Sequence, residues 1–299
     1  MFESKTDLPL QAILGDLMEK DISVREKRHV AGGDINETYL LTLSDGSRVF
    51  VKENRGKPGD FFTAEAAGLN ALAATHAIPV AKVLGTGSTG STLYLFLHYI
   101  ESAPRSADFW GTFGRDLAAL HKADASAFVN GGRFGFLQDN YIGATRQVNT
   151  PCDTWIDFYR TMRLEKQFEM AAGYFDDTQR SKILKLLDSL DDLLIEPKSP
   201  ALLHGDLWAG NFMADENGRA MLIDPAVYVG HPEADIAMTE LFGGFAPAFY
   251  DAYREAAPLE PGYPDRRDLY HLYQLLNHLN LFGGSYYGSV MRIVSHYTA

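Results

Sequence analysis

Two short stretches in the second half of the chain decide the fold: residues 204–211 read HGDLWAGN, and residues 222–224 read LID. A short apolar run precedes each aspartate, which is typical of a brief β-strand that ends in a loop. A tight loop between two such strands would place Asp206, Asn211 and Asp224 at one opening. Their oxygens suit a hard cation such as Mg²⁺, and an aspartate beside it can accept a proton from a hydroxyl group. The pattern therefore predicts phosphoryl transfer, which needs a metal on the phosphates and a nucleophile held in line.

The same residues have a plainer interpretation, because aspartate and asparagine are common in loops, where they cap turns. Asp206 and Asn211 alone would not favour catalysis over capping. The two flanking apolar runs and the second aspartate, Asp224, change that balance. We therefore expect the three side chains to form a catalytic site.

A lysine interrupts an apolar segment in the first half of the chain, at Lys52 in the sequence VFVKEN. Lysine is seldom buried without a partner, and Glu65 on the helix predicted for residues 60–76 can supply one. Such a pair would leave the ammonium group to orient the α- and β-phosphates of a nucleotide. Taken alone, an exposed lysine at a sheet edge, with Glu65 as an ordinary surface charge, is the better interpretation. The aspartates of the second half reverse that preference.

A glycine-rich segment, AGGDIN at residues 31–36, lies between the first two predicted strands. Gly32 and Gly33 would let backbone N–H groups approach a phosphate closely. A plain hairpin turn explains the segment better when it is taken alone. Its position ahead of the lysine and the aspartates makes it a candidate for covering the phosphates.

The order of predicted elements divides the chain into two lobes, which is an α+β organisation. Residues 1–99 contain short apolar segments and turns around one inserted helix, which predicts a small, β-rich nucleotide-binding lobe. Residues 100–299 are mainly helical and carry the catalytic segments, the metal ligands and the substrate pocket. Residues 130–150 are rich in glycine and asparagine, and we expect them to be irregular.

Composition excludes several classes of partner. The 299 residues carry a formal net charge of −12, and clustered lysine and arginine are missing, so nucleic acid and anionic membranes are poor candidates. No segment approaches the roughly 20 apolar residues of a membrane span, and the N-terminus does not resemble a signal peptide, so the expected location is cytoplasmic. Cys152 is the single cysteine, which excludes a disulfide within the chain. No apolar stripe indicates a dimer, and we expect a monomer.

The spacing D-x-x-x-x-N, followed by an aspartate at a strand end, resembles the catalytic set of protein kinases. The His-Gly-Asp form is typical of the small-molecule branch, which includes aminoglycoside and choline kinases. This resemblance implies a bilobal protein-kinase-like fold, Asp206 as the catalytic base, and Asn211 and Asp224 as metal ligands. It also implies that backbone groups of the segment containing His98 and Ile100 bind adenine between the lobes.

From about residue 10 to the C-terminus, the chain resembles the fructosamine-3-kinase family, also called ketosamine kinases. The segments that carry the resemblance include FGFLQDNYIG at residues 134–143, LLHGDLWAGN at residues 202–211 and IDPAVYVGHPEADIAMTELFGGF at residues 223–245. The resemblance implies that the chain uses ATP and Mg²⁺ to phosphorylate the 3-hydroxyl group of a ketoamine, the adduct of a sugar with an amine. The phosphorylated adduct is unstable and releases the amine, which repairs glycation.

Trp208, two residues after the predicted base, separates this family from most aminoglycoside kinases. Indole rings often stack on sugars, so we expect Trp208 to contact the ketose. The alternative is a core aromatic residue packed under the loop.

Two other functions stay open at this point. A kinase of another small alcohol, such as an aminoglycoside, choline or homoserine, would keep every catalytic residue and change only the pocket. A nucleotide-binding scaffold without turnover is disfavoured, because every expected catalytic position is filled. The sequence does not name the sugar, and it does not distinguish a protein-attached amine from a free metabolite.

Overall fold

The computed structural model describes residues 8–30 and 35–299. The elements of its first part are α1 (Leu8–Met18), β1 (Val24–His29), β2 (Glu37–Leu43), β3 (Arg48–Arg55), α2 (Phe61–Ala74), β4 (Val83–Thr89) and β5 (Thr92–His98). The five strands form an antiparallel sheet in the order β1-β2-β3-β5-β4, with one helix on each face. The inserted helix follows the third strand, as the sequence predicts.

Strand β3 shows how the alternation of side chains places the lysine. Val49 and Val51 are buried on the face that α1 covers. Phe50 lies on the opposite face, in the apolar cluster around α2. Because side chains alternate along a strand, Lys52 shares the face of Phe50 and is directed toward α2.

The rest of the chain is mainly helical. It contains α3 (Phe109–Lys122), β6 (Asn140–Ile142), β7 (Thr145–Gln147), α4 (Trp155–Phe158), a π-helical segment (Tyr159–Leu164), α5 (Glu165–Met170), α6 (Asp177–Asp188), α7 (Leu190–Leu193), β8 (Ala201–Leu203), β9 (Phe212–Ala214), β10 (Ala220–Leu222), β11 (Tyr228–Gly230), α8 (Pro232–Leu241), α9 (Pro247–Ala256), α10 (Tyr263–Phe282) and α11 (Tyr287–Tyr297). Within residues 8–30 and 35–299, no helix combines the length and apolar character needed to cross a bilayer.

The prediction that residues 130–150 are irregular was wrong for residues 140–147, where β6 and β7 form an antiparallel hairpin. Asn140 and Gln147, which pair at the open end of this hairpin, are buried but polar, so the apolar alternation that marks a strand is missing from the sequence. The apolar spacing in residues 153–172 and in residues 178–194 predicts one helix in each range. The first helix is interrupted by the π-helical segment, and the second breaks at Ser189.

Backbone hydrogen bonds join the sheet to the helical part of the chain. The N–H of Ala81, just before β4, donates to the carbonyl of Leu222 in β10 at 2.9 Å, and the N–H of Leu222 donates to the carbonyl of Pro79 at 2.9 Å. This pairing brings the end of β10, and therefore Asp224, beside the sheet. The division of the chain at residues 99 and 100 stays a prediction.

Candidate active site

Short strands in the helical part position the two loops of the site. Strand β8 pairs with β11, and β9 pairs with β10, both antiparallel. The loop from β8 to β9 carries Asp206 and Asn211, and the loop from β10 to β11 carries Asp224. The Ile223 N–H donates to the Asn211 carbonyl at 3.1 Å, which holds the two loops together.

Asn211 fixes the catalytic loop through its side-chain amide. The Nδ2 group donates to the Asp206 carbonyl at 2.8 Å, to Asp206 Oδ2 at 3.0 Å and to the Asp224 carbonyl at 3.4 Å. Because the amide nitrogen makes these contacts, the amide oxygen is the atom left to bind a cation. The structure thus brings together the asparagine and both aspartates of the sequence pattern.

The carboxyl group of Asp206 has an unusual affinity for protons. Burial raises the pKa of Asp206 to about 7, against the opposing effect of the hydrogen bond from Asn211. The negative charges of Asp224 and Asp235 act in the same direction as burial. A carboxylate with a pKa near neutrality is a stronger base than an ordinary aspartate.

Lys52 links the sheet to the second aspartate. Its ammonium group lies 2.5 Å from Glu65 Oε1 on α2 and 2.6 Å from Asp224 Oδ1. The lysine is buried, and although burial lowers its pKa, the charges of Asp224 and Glu65 raise it overall, so the group stays cationic. Lys52 is therefore paired and directed into the cleft rather than exposed at a sheet edge.

Two residues of the site, Gly205 and Asp224, have left-handed backbone conformations. Gly205 has φ of +82°, and a Cβ atom there would lie 2.0 Å from the carbonyl oxygen of Ala226. Any larger residue would push the two loops apart, so the position between His204 and Asp206 requires glycine. Asp224 itself has φ of +54°, a left-handed conformation that is uncommon outside glycine and concentrates at functional sites.

Asp235, in the first turn of α8, holds the catalytic loop in place through hydrogen bonds to its backbone. It accepts hydrogen bonds from the backbone N–H groups of His204 at 2.7 Å and Gly205 at 2.8 Å. His121 Nε2 lies 3.2 Å from the same carboxylate. Although burial raises the pKa of Asp235, the contacts with His121, His204 and the Gly205 amide hold it below its usual value. His204 Nε2 donates to the Ile223 carbonyl at 2.9 Å, which is a structural role.

The hairpin of β6 and β7 is a part of the site that the sequence did not predict. Asn140 Nδ2 donates to the Val227 carbonyl at 2.7 Å, and Gln147 Nε2 donates to the Ala226 carbonyl at 3.0 Å. These carbonyls belong to the second and third residues after Asp224, so the hairpin fixes the backbone that leads away from the predicted metal ligand. In the sequence, the only indication of this hairpin was the segment FGFLQDNYIG at residues 134–143, which resembles the family but suggested no role for its residues.

On the nucleotide side, Gly32 and Gly33 lie outside the described residues. The chain that follows them is anchored by Asn54 on β3, whose Nδ2 donates to the Ile35 carbonyl at 2.9 Å and to Asn36 Oδ1 at 2.7 Å. This anchor fixes where the glycine-rich segment ends against the sheet.

The predicted adenine contacts lie at the end of β5. The N–H of His98 donates to the Lys82 carbonyl at 2.9 Å, so an adenine contact from His98 has to use its carbonyl. Ile100 is half-buried in an apolar cluster with Phe50 and Ile223. This cluster offers an apolar surface between the sheet and the loop of Asp224.

Trp208 lies on the surface of the catalytic loop. Its side chain is 40% exposed, so the alternative of a core residue packed under the loop is wrong. Gly210 allows the ring to lie against the backbone, because a Cβ atom there would come within 2.4 Å of the indole. The outer part of the indole is therefore available to a ligand.

A metal ion at this site would depend on few protein ligands. In the part of the chain that the structure describes, no cluster of three or more His, Cys, Asp or Glu residues could hold a metal ion. Asn211 and Asp224 offer one amide oxygen and one carboxylate. Mg²⁺ is usually held by one or two carboxylates, waters and substrate phosphates, so this donor set fits a magnesium ion that arrives with a nucleotide.

The sheet with one inserted helix, the buried lysine pair and the two aspartate loops define a protein kinase-like phosphotransferase fold. Within that class the chain belongs to the fructosamine kinase family, whose model matches residues 9–299. The α+β fold and the family resemblance predicted from the sequence are both confirmed.

Relatives of this chain agree with that assignment. A probable ketoamine kinase from Synechocystis sp. is 45% identical over 267 residues, which cover 88% of this chain and 87% of the relative. The chloroplastic protein-ribulosamine 3-kinase of Oryza sativa subsp. japonica is 39% identical over 272 residues, or 90% of this chain and 77% of the relative.

Solved structures show the same fold. A crystal structure from Haemophilus somnus 129PT, described as a candidate fructosamine-3-kinase, matches with a TM-score of 0.85 at 28% identity and covers 97% of both chains. The aminoglycoside phosphotransferase APH(4)-Ia matches with a TM-score of 0.64 at 17% identity, again over 97% of both chains, and shares the fold alone.

Proposed function

We propose that this protein transfers the γ-phosphoryl group of ATP to the 3-hydroxyl group of a ketoamine. The observation that carries the proposal is the position of Lys52, which lies between Glu65 and Asp224 in the cleft where Asn211 holds Asp206. Membership of the fructosamine kinase family and the names of the relatives support a ketoamine as the acceptor.

Each of the predicted site residues in the cleft has a role in this reaction. Lys52, held by Glu65, orients the α- and β-phosphates, because a fixed ammonium group in a cleft attracts the phosphate oxygens. Asn211 and Asp224 hold the magnesium ion, which neutralises charge on the phosphates when it is bound. Asp206 aligns the sugar hydroxyl and accepts its proton as the phosphoryl group is transferred. Trp208 stacks on the sugar.

The remaining assignments concern the nucleotide and the state of the protein. Gly32 and Gly33 cover the phosphates, and the His98 carbonyl and the Ile100 backbone bind adenine. Residues 1–99 act as the nucleotide-binding lobe, and residues 100–299 carry the catalytic residues and the acceptor pocket. We propose that the protein acts as a monomer in the cytoplasm.

ADP release from ATP and Mg²⁺ in the presence of single acceptors tests the proposal. The acceptors are ribulosamine and fructosamine derivatives of lysine, kanamycin, choline and a blank. We expect rapid turnover with a ketoamine only, and Asp206→Asn should lower kcat by about 10²–10⁴-fold, the usual contribution of a general base. Asp188→Asn, at an exposed position on α6, is the matched control and should keep full activity.

The other outcomes distinguish the alternatives. Turnover with kanamycin or choline instead of a ketoamine would keep the mechanism and overturn the acceptor. ATP binding without turnover of any acceptor would favour the scaffold. Full activity in Asp206→Asn would refute the assignment of the base.

A further inference from the structure

An aromatic patch extends from the catalytic loop over the end of α10. We define it as Trp208, Phe242, His278, Phe282 and Tyr286. Ring centroids are 6.3 Å apart between Trp208 and Phe242, and 4.8 Å apart between Phe242 and His278. His278 also lies 5.4 Å from Phe282 and 5.1 Å from Tyr286. None of the five residues is fully buried, and Trp208 and Phe282 are 40% and 52% exposed.

Helix α10 ties this patch to the catalytic loop. Gln274 Nε2 donates to the Gly205 carbonyl at 3.1 Å, directly beside Asp206. His278 and Phe282 follow Gln274 at intervals of four residues and therefore lie on the same face of the helix, each about 6 Å further along its axis. The patch thus begins next to the proposed base and leads away from it.

His278 supplies one polar atom at the centre of the patch. Its Nδ1 lies 2.8 Å from the Gln274 carbonyl, and because a carbonyl only accepts, Nδ1 carries the proton. Burial lowers the pKa of His278, which keeps the ring neutral near pH 7. Nε2 is therefore a hydrogen-bond acceptor, and among residues 8–30 and 35–299 it has no protein partner.

This combination of groups fits a cation that carries an N–H group. Aromatic faces attract alkylammonium groups, and a neutral imidazole nitrogen accepts their proton in a hydrogen bond. The net charge of −12 and the aspartates of the cleft also favour a positive ligand here. The secondary amine of a ketoamine is protonated near neutral pH, and its nitrogen lies three bonds from the carbon that bears the 3-hydroxyl.

We propose that the aromatic patch binds the protonated secondary amine of the ketoamine, with His278 Nε2 accepting its N–H and the ring of Phe242 facing the charge. This inference rests on the proposed function, because it assumes that the acceptor hydroxyl lies at Asp206. The patch then distinguishes a ketoamine from a free ketose, which has the same hydroxyl and no cation. Phe282 and Tyr286 continue the surface toward the group that the amine carries.

The test compares two acceptors that differ in one atom: a ribulosamine of an alkylamine, and the ether in which oxygen replaces the amine nitrogen. Affinity is measured as KM, or as Ki against the ribulosamine where the ether is not phosphorylated. His278→Phe keeps the ring and removes the acceptor atom, and we expect it to raise KM for the ribulosamine about tenfold. Phe242→Leu keeps an apolar side chain without a π face and should raise it about threefold.

Neither variant should change the affinity for the ether by more than about twofold. A retained affinity for the ether would also show that each variant is folded. His296→Phe, the same substitution at an exposed position on α11, should leave both affinities unchanged. Equal losses for amine and ether, or no loss for the amine, would overturn the amine site while leaving the kinase intact. A wild-type protein that binds ATP and phosphorylates neither acceptor would overturn the proposed function together with the amine site.

Discussion

Single residues set the geometry of the cleft, and Lys52 is the clearest case. The residue pairs with a neighbour on α2 and with Asp224, which is 172 positions away in the sequence. Alternation along β3 made the pairing with Glu65 predictable, because it directs the lysine toward the helix that follows the strand. The contact with Asp224 was beyond sequence reasoning, since it depends on how β10 lies against the segment before β4.

A substitution at Gly205 can separate the cost of backbone strain from the cost of a steric clash. Gly205→Ala would force a Cβ atom against the Ala226 carbonyl in addition to a φ of +82°. Gly90→Ala is the matched control, because Gly90 has a φ of +59° at the turn between β4 and β5 and open space around it. We expect about 1 kcal/mol of destabilisation at Gly90 from conformation alone.

At Gly205 the clash adds to that cost, so we expect at least about 3 kcal/mol of destabilisation and a severe loss of kcat. Urea denaturation and ADP release measure the two quantities. Equal destabilisation by the two substitutions would mean that the close approach of the loops does not matter.

At the scale of elements, the sequence predicted elements with a clear apolar pattern better than elements without one. The bounds of α3 and α9 agree with the sequence pattern, because each has an apolar face at helical spacing and a clear end. The hairpin of β6 and β7 was missed because its strands have three residues each and bury polar side chains. The hydrogen-bond partners of these polar side chains lie far away in the sequence, so no local pattern predicts the strands.

Gln147 shows what this hairpin contributes. Its amide donates to Asn140 Oδ1 at 2.8 Å and to the Ala226 carbonyl at 3.0 Å, and its Oε1 accepts from Tyr273 at 2.6 Å. Gln147→Leu would remove one hydrogen bond from each of these buried groups, although Asn140 Oδ1 would keep its bond from Asn149 Nδ2. A buried polar group left without a partner costs about 1–3 kcal/mol. We expect the free energy of unfolding to fall by several times more than in Gln138→Leu, the same change at an exposed position.

The same substitution should also lower kcat more than it raises KM for ATP, because the freed backbone follows Asp224 and the adenine contacts lie elsewhere. Steady-state kinetics at saturating ketoamine measure both constants. Unchanged kcat in a destabilised Gln147→Leu protein would show that the hairpin supports the fold without positioning the metal ligand.

At the scale of the whole molecule, stability depends on histidines that must stay neutral inside the protein. His231 begins α8, where its Nδ1 accepts the Glu233 N–H at 3.1 Å, and its Nε2 is buried without a hydrogen-bond partner in the described chain. Burial lowers the pKa of His231 to about 3, and the positive charges of Arg266 and His121 act in the same direction. Protonation of Nδ1 would remove the acceptor of the Glu233 N–H and place a positive charge in the core, where the nearest carboxylate oxygen, Glu233 Oε2 at 4.0 Å from Nε2, already accepts from Arg266.

The sign of the pH dependence follows from that shift. An unfolded histidine has a pKa of about 6.5, so below that pH the unfolded state binds a proton that the folded state excludes. This residue therefore makes the protein less stable as the pH falls from about 6.5 toward 3, by up to about 1.4 kcal/mol per pH unit. His231→Asn keeps a side-chain acceptor at the helix start and cannot titrate. Urea denaturation from pH 7 to pH 4.5 should give a shallower loss of stability in the variant, whereas identical slopes would mean that His231 finds a partner for its proton.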